Sequence, residues 1–324
     1  MAKAIVLRDY GTSDVMRLED VSVAAPGANE ILVRQTAIGV HFHDIYVRTG
    51  LYKTLRLPGT PGLEAAGVVD AVGAGQRRFS VGDRVVYVTS GYGAYASHRV
   101  VDEKMAIKLP DFVSDALMAT NFSRLLTVQM LTDKVTALQP SQTILVTAAT
   151  GGVGRLLCQH ANALGARVIG TVSSAEKATL ASDYGCAHAL LYDQDDFIAE
   201  VWDITDGKGV DIVYDSVGAK TFQNSLEVLG VCGHLVNFGQ SSGPVDPLAM
   251  SQLAAKSLTV TRPILFHYTQ DPAAYQTMAD AVFKSFKQGA LVLPALQGID
   301  LANAAEAHDI LESGRGGGSL YLTP

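Results

Sequence analysis

The chain has 324 residues, 48% of them hydrophobic and 18% charged, with a formal net charge of −7. At roughly 100 to 200 residues per domain this length predicts two domains, and the apolar fraction supplies full hydrophobic cores, which excludes a disordered or collagen-like chain. The 25 basic residues are outnumbered by 32 acidic ones and form no run, so no nucleic-acid partner is expected: such a partner needs a concentrated basic face to release counterions from phosphates.

The N-terminus, MAKAIVLRDYG, alternates like a strand and lacks the apolar stretch of a signal peptide. Short runs follow at Ala4 to Leu7, Glu30 to Ala37, Gly67 to Val72, Asp83 to Val88 and Ala94 to Val101, separated by turn signals such as Pro26-Gly27 and Pro58-Gly59. This spacing predicts a mostly β unit, with helix scarce before about Ser114. From Gln142 the pattern becomes strand, glycine turn, helix, repeated. Strands are predicted at Thr143 to Ala148, Arg167 to Val172, Ala189 to Tyr192, Val210 to Asp215 and His234 to Phe238. Helices are predicted at Val153 to Leu164, Ala175 to Tyr184, Phe197 to Thr205 and Thr221 to Leu229. Strands alternating with such helices require right-handed crossovers and a parallel sheet, so this half is a doubly wound α/β domain. The periodicity breaks at Arg262-Pro263. A long helix from about Ala273 to Gly289 and a last strand, Ser319 to Leu322, are expected to return to the first domain.

The three cysteines, Cys158, Cys186 and Cys232, are far apart and form no CxxC pair. That fits neither a disulfide framework nor a structural zinc knot and points to a reducing cytoplasm. No run approaches the roughly 18 apolar residues of a membrane span, so no membrane partner is expected.

The sharpest local signal is Ala149-Thr150-Gly151-Gly152-Val153-Gly154, directly after an apolar strand and opening a helix. Read as G-x-G-x-x-G with Ala149 in the first place, it puts Gly151 where backbone approaches a pyrophosphate and Gly154 where helix meets sheet. The helix N-terminus adds free N–H groups and partial positive charge. At the end of the second strand an NAD enzyme usually carries an acid for the ribose 2′-hydroxyl. Here stand Ser173 and Ser174, with Lys177 one turn on, which suits a 2′-phosphate and hence NADPH. Ser173 could equally N-cap the helix, with Glu176 completing a capping box.

Together with Gly50-Leu51-Tyr52, Gly62 with Glu64-Ala65-Ala66-Gly67, Gly82-Asp83-Arg84-Val85, Gly93-Ala94-Tyr95, Val213-Tyr214-Asp215-Ser216-Val217-Gly218 and Thr261-Arg262-Pro263, this turn resembles the zinc-free, zeta-crystallin-like quinone oxidoreductases of the medium-chain dehydrogenase/reductase superfamily over nearly the whole chain. The resemblance implies a GroES-like catalytic domain from both chain ends (1–124 and 262–324), an inserted Rossmann domain (125–261), NADPH in the cleft and a homodimer. It implies that Ser173, Ser174 and Lys177 hold the 2′-phosphate, that Tyr192 packs near the adenosine, and that Gly152 and Val153 meet the pyrophosphate. Ser216, Phe238 and Gly239 would line the cofactor, with Phe266, Arg315 and Gly317 closing over it. Thr127, Tyr46 and Tyr52 would lie toward nicotinamide and substrate, although the two tyrosines could also be ordinary packing residues with their hydroxyls at the rim.

Zinc-using relatives place a Cys and a His at the positions of His41 and Leu63, and no cysteine occurs before Cys158, so no metal is expected. His41 departs from the Asn typical of the resembled family. It is open between a polar lining residue, a general acid and half of a metal site with Glu64. Glu64 itself could simply bond local backbone. Arg124 stands where the family usually has a Lys-Gly pair and reads most simply as a solvated helix-end cation. Cys158 reads as a small core residue, and no Ser-His-Asp order supports a hydrolase.

The function expected is hydride or single-electron transfer from NADPH to a quinone, with His41 or Tyr46 polarising the carbonyl. Reduction of an enone, alkenal or haloacrylate double bond is the alternative. A non-enzymatic NADPH-binding role, crystallin-like or RNA-associated, is a third.

Overall fold

Period-two burial builds the N-terminal half, as described for residues 1–75, 78–289, 291–314 and 319–324 of a computed structural model. The strands β1 (Ala2–Val6) and β2 (Arg17–Val21) pair antiparallel. β3 (Glu30–Gly39) then buries Ile31, Val33, Gln35 and Ala37 on one face and becomes the spine of a larger sheet. After it come α1 (Phe42–Thr49), β4 (Glu64–Val72), β5 (Arg84–Val88), β6 (His98–Asp102), β7 (Ala106–Lys108) and α2 (Asp115–Gln129).

Helix α1 lies where the sequence predicts none. It is short, but both ends are fixed: Asp44 returns its carboxylate to the His41 backbone N–H at 2.9 Å, and Gly50, with φ at 80°, closes it by donating to the Val47 carbonyl.

The second half is the predicted alternation through β12: β8 (Thr143–Val146), α3 (Gly154–Ala163), β9 (Arg167–Val172), α4 (Ala175–Asp183), β10 (His188–Leu191), α5 (Phe197–Ile204), β11 (Val210–Asp215), α6 (Phe222–Glu227) and β12 (Leu229–Asn237). Three short elements that the sequence pattern does not predict follow: α7 (Ser251–Ala254), β13 (Thr259–Thr261) and α8 (Leu265–Tyr268). Its six strands are parallel in the order β10-β9-β8-β11-β12-β13. Leu145, Ile169, Val213 and Leu235 from four of them pack under Phe197, Val201, Phe222 and Leu226. The chain ends with α9 (Pro272–Lys287), β14 (Gln297–Asp300), α10 (Ala304–Glu312) and β15 (Leu320–Thr323). β15 pairs antiparallel with β3, Tyr321 opposite Gly39, and the large sheet runs β14-β15-β3-β4-β5-β7 with β6 also on β3.

The chain thus forms two units, Met1–Ser123 with Thr269–Pro324, and Arg124–Tyr268. The second runs past Arg262-Pro263, where the sequence periodicity breaks.

Candidate functional site

In the second unit β8, β9 and β10 are laid down in one direction and β11 returns to the other side of β8. The strand order therefore reverses between β8 and β11, and a crevice forms at the carboxyl ends of such strands. The cofactor residues expected from β8 to β12 lie just beyond those ends, with Lys177 in the first turn of α4. Gly151, Gly152, Val153 and Gly154 join β8 to α3. A Cβ on Gly154 would stand 2.2 Å from the Ala148 carbonyl oxygen, so only glycine lets α3 start this close to the strand. A Cβ on Gly239 would stand 2.4 Å from the Ser216 carbonyl oxygen, which brings the ends of β11 and β12 together. Phe238 donates its backbone N–H to Asp215 at 2.8 Å.

Across the switch point, Thr147 accepts the Ser216 N–H at 2.9 Å and its hydroxyl donates to Asp215 at 3.2 Å. Asp215 is fully buried. Burial pushes its carboxyl up, while donors from Val217, Thr221, Gly218 and Thr147 pull it back.

At the end of β9, Lys177 Nζ donates to Ser173 Oγ at 3.0 Å and Ser173 is exposed. The helix cap is Ser174, whose hydroxyl accepts the Lys177 N–H at 3.4 Å, and Glu176 is engaged with Ser174. Ser173 is therefore free of the capping role the sequence leaves open for it. Tyr192 follows β10 directly and donates its N–H to Val172 at 3.4 Å, beside that pair. Phe266 is half-buried in α8 and Thr127 half-buried on α2. Arg315 and Gly317 lie outside the described residues.

One residue was misread from sequence. Arg124 is no solvated cation: it is 6% exposed, and its Nε lies 2.9 Å from where a Cβ on Gly152 would be. The signal available was its place one helical turn before Thr127, on the same face of α2.

In the first unit, His41 and Glu64 meet. His41 Nε2 lies 2.6 Å from Glu64 Oε2, off the line of a hydrogen bond. Glu64 has no exposure. Its Oε1 accepts the Ser123 N–H at 2.8 Å and its Oε2 accepts the Ser123 hydroxyl. Glu64 thus ties β4 to α2 and the start of α1 rather than bonding its own neighbours. Tyr46 and Tyr52 pack edge to face at 5.1 Å between centroids, and Tyr52 does the same with His43 at 5.4 Å. His43 Nε2 lies 3.2 Å from the Tyr92 hydroxyl, which also meets Thr54. His43 follows His41 by two residues, a spacing that puts both rings on one face of an extended segment, but it lies inside α1 with His41 at the N-cap. Thr54 and Tyr92 carry no signal in the sequence, because both come from loops.

Behind α1, Arg48 donates to both Glu312 oxygens at 2.9 and 3.0 Å and faces His308 Nδ1 at 3.4 Å. His308 Nε2 meets the Tyr95 hydroxyl at 2.9 Å, and that hydroxyl donates to Asp44 at 3.3 Å. Burial and Arg48 hold His308 down to about 3, burial and His41 hold His43 down to about 4, and burial pushes Asp44 up to about 6. Between pH 4 and 6 the unfolded chain therefore binds about one more proton at each histidine than the folded chain, and one fewer at Asp44. The histidines make stability rise with pH and Asp44 makes it fall, leaving a net rise of about 1.4 kcal/mol per pH unit from the three. His308→Gln is expected to remove that net rise, read as unfolding free energy in urea against pH; an unchanged slope would show that His308 is not held neutral.

Residues 27–111 match the family described as alcohol dehydrogenase GroES-like domain, and residues 152–284 the family described as zinc-binding dehydrogenase. The chain is 42% identical to the quinone oxidoreductase of Pseudomonas aeruginosa, over 100% of both. It is 37% identical to a 2-haloacrylate reductase of Burkholderia sp, over 100% of this chain and 99% of that one. Its fold matches the crystal structure of Escherichia coli quinone oxidoreductase complexed with NADPH at a TM-score of 0.96 and 38% identity, over 100% of both. A catalytic zinc does not fit the residues present. It needs three or four converging ligands, whereas His41 and Glu64 stand with Leu63, and among the described residues no three of His, Cys, Asp or Glu converge.

Proposed function

We propose, on the premise that this chain belongs to the zinc-free quinone oxidoreductase family of the medium-chain dehydrogenase/reductase superfamily, that it is an NADPH-dependent quinone oxidoreductase. The observation that carries the cofactor choice is the Lys177–Ser173 pair at the end of β9, a cation and a hydroxyl where a carboxylate would serve NADH. Gly154 and Gly239 support a dinucleotide site there, since they let α3 start against β8 and let the ends of β11 and β12 come together at the switch point.

When bound, NADPH supplies a hydride, or electrons singly, to the acceptor. The residues of the second unit hold its phosphates and fix its orientation. Tyr46, Tyr52 and Thr127 are proposed to contact the acceptor or the nicotinamide, with Tyr46 donating a hydrogen bond to the carbonyl that gains charge. His41 sits with its Nε2 against Glu64, which supports a lining and positioning role over that of a proton donor. Ser216, Phe238, Gly239, Tyr192 and Phe266 complete the cofactor lining in this reading. A second reading, reduction of an electron-poor carbon–carbon double bond, is supported by the 37% identity to the haloacrylate reductase.

We further propose a cytoplasmic homodimer. The free cysteines suit a reducing compartment, and β13 ends its sheet with an edge that a second copy can extend. Among the described residues no helix is long and apolar enough to cross a membrane.

Initial rates with NADPH or NADH, offered 9,10-phenanthrenequinone, an aliphatic enone or 2-chloroacrylate, test this reading. NADPH with the quinone is expected to be fastest. Lys177→Gln is expected to weaken NADPH by about 10-fold while leaving NADH unchanged, as loss of one charge-assisted bond implies. Turnover of the double-bond substrates alone would replace the main reading by the second.

A further inference from the structure

Positive charge gathers at the start of α3 from two directions. Arg124 reaches it from α2: its Nε, Cζ and Cδ lie 2.9, 3.1 and 3.4 Å from the place of a Gly152 Cβ, so the guanidinium lies over bare backbone of the glycine turn. Arg155, in the first turn of α3, has no exposure. Burial and the like charge of Arg124 lower its pKa to about 9. The free N–H groups of the helix end add partial positive charge at the same place. Two buried guanidiniums beside a helix N-terminus repel one another in a medium that screens poorly, and an anion seated among them offsets that repulsion.

We propose that Arg124 is a ligand of the cofactor's pyrophosphate, a clamp that reaches the glycine turn from outside the strand–turn–helix motif; this rests on the NADPH reading above. The 2′-phosphate is the other anion available, but its cation is Lys177 at the end of β9, a different strand. A planar guanidinium can meet two phosphate oxygens at once, which an ammonium cannot. Gly152 then has two reasons to lack a side chain: approach of the phosphate, and room for Arg124.

Full-length wild type, Arg124→Gln, Arg124→Lys and Lys177→Gln would be titrated with NADPH, 2′-phospho-ADP-ribose and adenosine 2′-monophosphate, and melted without ligand. Arg124→Gln is expected to weaken the two pyrophosphate-bearing probes by about 20-fold and to leave adenosine 2′-monophosphate unchanged. Arg124→Lys should fall between, and Lys177→Gln should weaken all three probes. Equal weakening of all three by Arg124→Gln, together with a lower melting temperature, would make Arg124 a packing residue and overturn the proposal. So would unchanged NADPH binding in both Arg124 variants. Wild type that binds adenosine 2′-monophosphate and 2′-phospho-ADP-ribose but does not oxidise NADPH would instead fail the oxidoreductase reading and leave the clamp standing.

Discussion

Gly154→Ala is expected to weaken NADPH binding by on the order of 100-fold and to destabilise the protein by about 3 kcal/mol. The added methyl would stand 2.2 Å from the Ala148 carbonyl oxygen, 3.0 Å from its carbon and 3.1 Å from Ala149 Cα. All three are backbone atoms at the end of β8, so no side chain can turn aside. Either α3 moves off the strand or the turn reshapes, and both displace the N–H groups that face the pyrophosphate. Titration of NADPH fluorescence and urea unfolding of the same variant check the two effects. Gly151→Ala serves as the control: its methyl would lie 3.0 Å from the Ala148 oxygen and should cost far less stability. Equal binding by wild type and Gly154→Ala would mean that the turn does not hold the cofactor's phosphates.

His41→Ala is the second large effect, at about 2 to 3 kcal/mol of stability. Glu64 has no exposure, and removal of the ring leaves one of its oxygens with the Ser123 hydroxyl alone among the contacts described. Glu64→Gln keeps the shape but removes the charge that His41 faces. If the two side chains act as a pair, the double variant His41→Ala with Glu64→Gln is less destabilised than the sum of the singles, by about 1 kcal/mol or more. Strict additivity would show that the 2.6 Å approach carries no interaction energy. His41→Asn, the residue usual in the resembled family, tests whether a shorter amide can replace the ring.

The second unit was legible because its information is local. β9 and β11 run over the very residues the sequence pattern predicts, Arg167–Val172 and Val210–Asp215, since apolar runs bounded by glycine turns define buried parallel strands without reference to anything distant. The glycine turn and the Ser173–Lys177 pair lie within single strand–turn–helix segments, so their chemistry could be read in place. α1 was missed because a helix of eight residues with a polar face offers too little apolar periodicity, and its stability comes from its two ends and from packing.

What only the tertiary structure decided are the pairings between distant segments. Sequence put His41 among three roles; the fold set it against Glu64, which in turn took Ser123 from α2. Sequence left Arg124 in solvent; the fold buried it over Gly152. In each case the residue type fixes which chemistry is available, an imidazole or a guanidinium. Its partner is fixed by strand register and helix placement, which depend on the whole core closing at once.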